Sequence, residues 1–300
     1  MIYESVRDLV GNTPLIRFNT KEISSKVKIY VKAEGFNPTG SVKDRACLYN
    51  ILGEIENGNL HEGMTILDAS SGNMACAISY YGSLLGYKTK LICGSKLTED
   101  KKKFINYFGS ELEMFGDFTI QGNEYCRNVI LKNNPEKYCF LDQLHNWNNP
   151  KASYETLGPE IYKDLPNLKM IVGSLGSGGS LYGSSLYLKE MNKHIKSVAV
   201  EASSGYKIPG TGAFVDGDYI TPFINKGKID GIFDKHIKIK LENAKNRTEQ
   251  LKSQGIFVGW QTGGVLDATI QAINEFNIIG DVVMISGDSG WKNIDKLTNN

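Results

Sequence analysis

The sequence predicts an α/β fold of two lobes, each a mostly parallel twisted sheet flanked by helices. Three observations predict it: strand-sized apolar runs recur along the chain, helix-sized amphipathic stretches separate them, and several runs end in turns rich in glycine or serine. Parallel strands need long crossovers, so this alternation reads as a succession of βαβ units. At 300 residues the chain is longer than one core usually organises. With 41% hydrophobic and 22% charged residues it carries enough apolar mass for two cores and no signature of disorder.

The runs that predict strands are Ile29 to Ala33, Thr65 to Ala69, Thr89 to Cys93, Glu111 to Phe115, Met170 to Val172, Ser197 to Glu201 and Asp281 to Ser286. Ser70-Ser71-Gly72, Gly94-Ser95, Gly173-Ser174 and Gly287-Asp288 end four of them, and Ala75 to Leu85 reads as a helix. Open α/β sheets bind ligands beyond the carboxyl ends of their strands, so these turns are where a site is expected. The Asn/Pro-rich stretch 146–150 near the midpoint reads as a crossing between lobes, and Ser203 to Lys228 reads as a long irregular loop.

Composition excludes several classes of function. The formal net charge is +1, with lysines and acids interleaved, so no basic face exists to neutralise nucleic-acid phosphates. Five scattered cysteines, an odd number without CxxC or Cys/His spacing, predict neither a disulfide framework nor a metal site. The amino terminus lacks the pattern of a secretory leader, and no apolar run approaches a membrane span, so a soluble protein of the cytoplasm is expected.

Three segments could carry chemistry. In Asn37-Pro38-Thr39-Gly40-Ser41-Val42-Lys43, turn residues lead to a capping serine, and Lys43 falls in the first turn of a helix. The positive end of a helix dipole disfavours a cation there and lowers its pKa, which suits a nucleophilic amine. An exposed lysine paired with a neighbouring acid fits that segment equally well. Gly176-Ser177-Gly178-Gly179-Ser180 follows an apolar run and could present backbone amides to a phosphate, or be an ordinary strand-to-helix turn. It matches neither the dinucleotide fingerprint nor a Walker loop, since Leu181 stands where the former needs glycine and no Gly-Lys-Ser/Thr follows. Ser70-Ser71-Gly72-Asn73-Met74 could form a nest for a carboxylate or a simple helix cap. Gly287-Asp288-Ser289-Gly290 has the letters of a serine-protease nucleophile, but the α/β alternation and the absence of a disulfide framework oppose that reading.

Taken together, these segments resemble the cysteine synthase and cystathionine β-synthase family, the fold-type II pyridoxal-phosphate enzymes, along nearly the whole chain. The likeness begins at Gly11-Asn12-Thr13-Pro14-Leu15 and runs through Asn37 to Arg45, Ser70 to Ala75, Gly176 to Ser180 and Ser289. The resemblance implies pyridoxal 5'-phosphate as cofactor and Lys43 as its Schiff-base residue. It implies that Asn73 contacts the cofactor ring oxygen, that Gly176, Ser177, Gly178, Gly179 and Ser180 cradle the phosphate, and that Ser289 bonds the pyridine nitrogen. Ser70, Ser71, Gly72, Met74, Gln143 and Gly210 are then the substrate-side residues. A smaller, mobile substrate-loop domain at 41–146, a larger cofactor-binding domain at 1–40 plus 147–300, and a homodimer are also implied. The implied chemistry is removal of the α-proton by Lys43, loss of the β-substituent and addition of a nucleophile.

Departures from the family pattern bear on the substrate. No arginine lies between Asn146 and Lys245, which disfavours a phosphorylated serine donor. Met74 stands where the family has a threonine, and His145-Asn146-Trp147-Asn148-Asn149-Pro150 replaces its ENPANP. Gly210-Thr211-Gly212-Ala213-Phe214 is one residue shorter than its counterpart and leads into a longer stretch containing Asp216, Asp218 and Asp230. Asp230 is the first choice for a base that lets cysteine serve as β-donor with release of sulfide; all three are equally readable as solvated loop acids. The expected partners are small amino acids, cysteine or O-acetylserine, together with sulfide. A serine/threonine dehydratase-type β-eliminase and an inactive binding homologue are the alternatives.

Overall fold

The structure, a computed structural model, describes residues 2–70, 72–95 and 97–298. Ten strands are present among them: β1 Leu15–Phe18, β2 Val27–Ala33, β3 Thr65–Ala69, β4 Lys88–Cys93, β5 Glu111–Met114, β6 Tyr138–Phe140, β7 Met170–Ser174, β8 Lys196–Ala202, β9 Lys235–Ile239 and β10 Gly280–Ser286. The helices are α1 Lys43–Glu56, α2 Asn73–Leu84, α3 Glu99–Tyr107, α4 Thr119–Tyr125, α5 Asn148–Ala152, α6 Gly158–Asp164, α7 Gly179–Met191, α8 Pro222–Ile229, α9 Leu241–Lys252, α10 Trp260–Glu275 and α11 Ile294–Thr298. The chain forms two compact units, Met1–Val42 with Pro150–Asn300, and Lys43–Asn149.

In the first unit six strands run in the order β1-β2-β10-β7-β8-β9. Only β1 is antiparallel to its neighbour. Successive residues of a strand face opposite sides, and both sides are apolar here, as a sheet covered on two faces requires. Met170, Val172, Val198, Val200, Val282 and Met284 join Leu251, Val265 and Leu266 of α9 and α10 in one core. Ile171, Ala199, Val283 and Ile285 face the other way, into a core with Ile161 of α6, Leu181 and Leu188 of α7, and Ile224 of α8.

The second unit carries a four-stranded parallel sheet, β5-β4-β3-β6. Its central strand β3 is buried at all five positions. Leu67 and Ala69 pack with Ile92, Cys126, Ile130 and Tyr138.

The α/β class expected from the alternation of apolar runs is therefore what the chain adopts. One expectation is corrected: the irregular stretch predicted over Ser203 to Lys228 ends at Thr221. That residue caps α8, its Oγ1 accepting the Ile224 N–H at 3.3 Å, and Pro222 sits at the first helical position. Thr-Pro is a helix-start signal, since proline's fixed φ suits that position and its missing N–H costs nothing there.

Candidate active site

The loops beyond the carboxyl ends of the first unit's strands are tied together by side-chain and main-chain bonds. After β2, Glu34 is fully buried and accepts from the Thr13 hydroxyl at 2.6 Å and from Asn37 Nδ2 at 2.9 Å. The Gly11 N–H in turn donates to Asn37 Oδ1 at 2.8 Å, and buried Lys32 donates to the Thr13 carbonyl at 2.6 Å while pairing with Glu160 at 2.8 Å. The segment Gly11 to Pro14 is thus the brace of the turn that precedes Lys43. That turn is closed from the other side by the loop after β10. The Val42 N–H donates to the Gly287 carbonyl at 2.9 Å and the Ser289 N–H to the Gly40 carbonyl at 3.1 Å, while Ser41 bridges Asp288. Ser289 sits against bare backbone: a Cβ on Gly35 would stand 2.9 Å from the Ser289 Cβ, and one on Gly40 3.3 Å from its Oγ.

The second turn, Gly176 to Ser180, leads from β7 into α7. Its N-cap is Gly178 at φ +84°, which has no side chain to cap with and lies in the left-handed region that favours glycine. A Cβ there would meet Ile224 Cγ1 at 2.5 Å, and one on Gly176 would meet the Gly210 carbonyl oxygen at 3.1 Å. The turn is held from behind by the Thr221 hydroxyl, which donates to the Ser177 carbonyl at 2.6 Å. From Ser174 to Ser180 the only side-chain polar groups are hydroxyls, with no carboxylate. Amide donors, hydroxyls and the positive end of a 13-residue helix are the donor set that a phosphate dianion takes, so these residues fit pyridoxal phosphate.

In the second unit Lys43 opens α1. Burial pushes its ammonium pKa down to about 8. The adjacent Asp44 is fully buried and accepts from the Tyr81 hydroxyl of α2 at 2.6 Å, which fixes the first turn of α1. Beyond β3, the Ser70 N–H donates to the Ile92 carbonyl at 3.0 Å and the Ser70 carbonyl accepts from the Cys93 thiol at 2.7 Å. Gly72 is the N-cap of α2, Asn73 opens the helix, and Met74 is 1% exposed. Gln143 is buried beside the same turn, its Nε2 donating to the Ala69 carbonyl at 2.8 Å. Of the expected residues here, Ser71 lies outside the described residues.

The structure thus brings Gly40 and Ser289 together, sets Gly210 against Gly176, and brings Ser70 beside Gln143. The three loop acids have separate local partners. Asp216 accepts from the Ser204 hydroxyl at 2.6 Å and the Gly205 N–H at 2.8 Å, which hold its carboxyl below the usual range. Asp218 accepts the Ala213 N–H at 2.8 Å. Asp230 ends α8 and pairs with Lys226, one turn earlier, at 2.8 Å. What sequence reasoning missed is the supporting roles: those of Thr13, Glu34 and Asn37 under the turn before Lys43, of Thr221 behind the turn Gly176 to Ser180, and of Asp68 and Asp142 around Gln143. Asp68 alone gave a signal, a carboxylate inside an otherwise apolar strand.

Comparison with known proteins bears on the family of the chain. Residues 6–287 match the family model described as pyridoxal-phosphate dependent enzyme. The chain is 33% identical to the cysteine synthase of Aquifex aeolicus over 96% of its own length and 90% of that protein's. It is 32% identical to cysteine synthase B of Pseudomonas aeruginosa, over 91% and 90%. Among solved structures it superposes on a hydrogen sulfide-producing enzyme from Fusobacterium nucleatum with a TM-score of 0.88 at 30% identity, over 98% of both chains. It superposes on O-acetyl serine sulfhydrylase isoform 3 from Entamoeba histolytica with a TM-score of 0.90 at 26% identity, over 100% of this chain and 92% of that one. With a family model matching residues 6–287 and relatives at about a third identity along nearly its whole length, the chain belongs to the cysteine synthase-like pyridoxal-phosphate-dependent enzymes.

Proposed function

We propose that this enzyme exchanges the β-substituent of a small amino acid, with O-acetylserine or cysteine as donor and sulfide as the incoming or outgoing group. The observation that carries the reading is Lys43, an amine whose pKa burial lowers to about 8. At pH 7 roughly a tenth of such an amine is neutral, against well under a thousandth for an ordinary lysine, so it is both a nucleophile and a base.

When bound, pyridoxal phosphate supplies the electron sink that makes the substrate α-proton removable. Lys43 Nζ is the group that takes that proton and returns one at the end of the cycle. The amides and hydroxyls of Gly176 to Ser180, with the α7 dipole, hold the phosphate. Asn73 and Ser289 orient the ring; a neutral hydroxyl at Ser289 leaves the ring nitrogen without a full counter-charge, which favours elimination and replacement at the β-carbon over transamination. Ser70, Ser71, Gly72, Met74, Gln143 and Gly210 line the amino acid, with the Gln143 amide donating to its α-carboxylate. The names of the relatives support both directions, synthesis of cysteine and production of sulfide. Cysteine as donor needs a base for the incoming water or thiol, and Asp230 is the residue we assign to it. Five free, buried cysteines fit a reducing compartment, so we place the enzyme in the cytoplasm, as a homodimer like the family it belongs to.

A donor screen tests the reading: purified protein loaded with pyridoxal phosphate is given O-acetylserine plus sulfide, or cysteine plus a second thiol, and cysteine, thioether and free sulfide are measured. Rapid cysteine from O-acetylserine makes it an assimilatory synthase, and sulfide from cysteine makes it a sulfide producer. Neither product, or 2-oxo acid alone, overturns the proposal. An Asp230→Asn variant that still releases sulfide from cysteine at the native rate removes Asp230 from the mechanism.

A further inference from the structure

Two carboxyls flank Gln143, and no step of the proposed reaction uses either. Asp68 lies on β3 and is fully buried. Its Oδ1 accepts the Ala69 N–H at 2.8 Å. Oδ2 is buried as well and has no hydrogen-bond partner among the described residues. Burial, reinforced by the nearby Asp142 charge, raises the Asp68 pKa well above its usual value.

Asp142 immediately precedes Gln143 and has φ +49°, a left-handed conformation that aspartate tolerates better than most side chains. Three groups grip its carboxylate: Asn123 Nδ2 at 2.8 Å, His145 Nδ1 at 2.8 Å and the Arg127 guanidinium. Asn123 and Arg127 are four residues apart where α4 passes into a π-helical turn, Cys126–Leu131, so one helical face supplies both. Gln143 itself is fixed at two points: its carbonyl by Asn149 Nδ2 at 2.8 Å, and its side chain by the Ala69 carbonyl at 2.8 Å, the residue whose N–H Asp68 holds. An amide nitrogen carries two hydrogens, and the one not aimed at Ala69 is the donor a carboxylate would take.

We propose that Asp68 and Asp142 are positioning residues that set the Gln143 amide in register with Ala69 and Ser70 at the end of β3. Recognition of the substrate α-carboxylate then depends on two acids that never touch it. The inference rests on the reading of Gln143 given above. A displacement of about one ångström in a substrate-holding group costs up to ~100-fold in turnover efficiency, so a loosened clamp is measurable.

Four variants test it. Asp142→Gly keeps the left-handed conformation at no steric cost and removes the anchor; it should raise KM for the amino-acid donor by at least ~10-fold with kcat within about threefold and cofactor affinity unchanged. Asp68→Asn, nearly isosteric and still able to accept the Ala69 N–H through its Oδ1, should restore KM, whereas Asp68→Ala should raise it as Asp142→Gly does. Gln143→Ala should match or exceed the largest of these. A second readout needs no cofactor and no activity: amide hydrogen exchange at Ala69, Ser70 and Gln143 should quicken in Asp142→Gly and Asp68→Ala and return in Asp68→Asn. Unchanged exchange and KM in both overturn the positioning role. Cofactor affinity falling in step with KM overturns it too, as a general loss of structure. Quickened exchange alongside a Gln143→Ala enzyme of native KM overturns the reading of Gln143 instead.

Discussion

Lys43 is the residue on which the proposed chemistry turns, and its environment has a thermodynamic consequence of its own. Its pKa falls from 10.5 to about 8 on burial. The folded protein therefore holds that proton less tightly than the unfolded chain does. Stability is at its lowest share below pH 8 and rises between about pH 8 and 10.5 as only the unfolded state stays protonated. The full cost is on the order of 3 kcal/mol at neutral pH. Cofactor-free Lys43→Met should thus be more stable than the cofactor-free parent at pH 7, by denaturant unfolding, with the gain shrinking toward pH 10, while its exchange activity falls by at least ~100-fold. At Gly178, φ +84° and the 2.5 Å approach of Ile224 leave no room for a methyl group. Gly178→Ala should lose about 1–3 kcal/mol of stability and bind pyridoxal phosphate more weakly in a fluorescence titration. Residues of this kind were legible from sequence because their chemistry shows in the letters: a lysine after a glycine-proline turn, glycines after an apolar run. Thr13, Glu34, Asn37 and Asp142 were not, because each acts through partners distant in the chain.

At the scale of elements, α7 is the one to which we assign most of the hold on the cofactor. Its N-terminus carries a partial positive charge that is offset by no acid in the preceding turn. Ser180→Asp should therefore act in opposite directions on two measurements. The cofactor-free protein should keep or gain stability, by up to about 0.5 kcal/mol, because an acid suits a helix start. Affinity for pyridoxal phosphate should fall by at least ~10-fold, because the same acid repels the phosphate. Equal losses in both would mean that Ser180 is merely structural. The strands divide by the same logic of environment. β3, β4, β7, β8 and β10 are apolar enough to be read as continuous runs, since a parallel sheet covered on both faces buries every residue. β1 and β9 lie at the edges of their sheet, and Leu15–Phe18 and Lys235–Ile239 carry charges that blur the pattern; β6 has three residues, too short to register.

For the molecule as a whole, all five cysteines are free and buried. Burial pushes the Cys93 and Cys139 thiols up to about 12, and Cys47 and Cys126 upward as well. Thiolate is the reactive form, so an aromatic disulfide reagent at pH 8 should find essentially no thiol in the native protein and all five after unfolding. A stoichiometric native reaction would show that one of the cores opens readily. The topology of the first unit also orders events in time. β2 is joined to the body of its sheet by β10, far along the chain, and the turn before Lys43 is closed by Gly287, Asp288 and Ser289. A chain still being translated already exposes its lysine but cannot seal that turn until residue 289 has left the ribosome. That turn accordingly closes only in a polypeptide extended past β10, and a product of premature termination before β10 would carry Lys43 without the closed turn that leads into it.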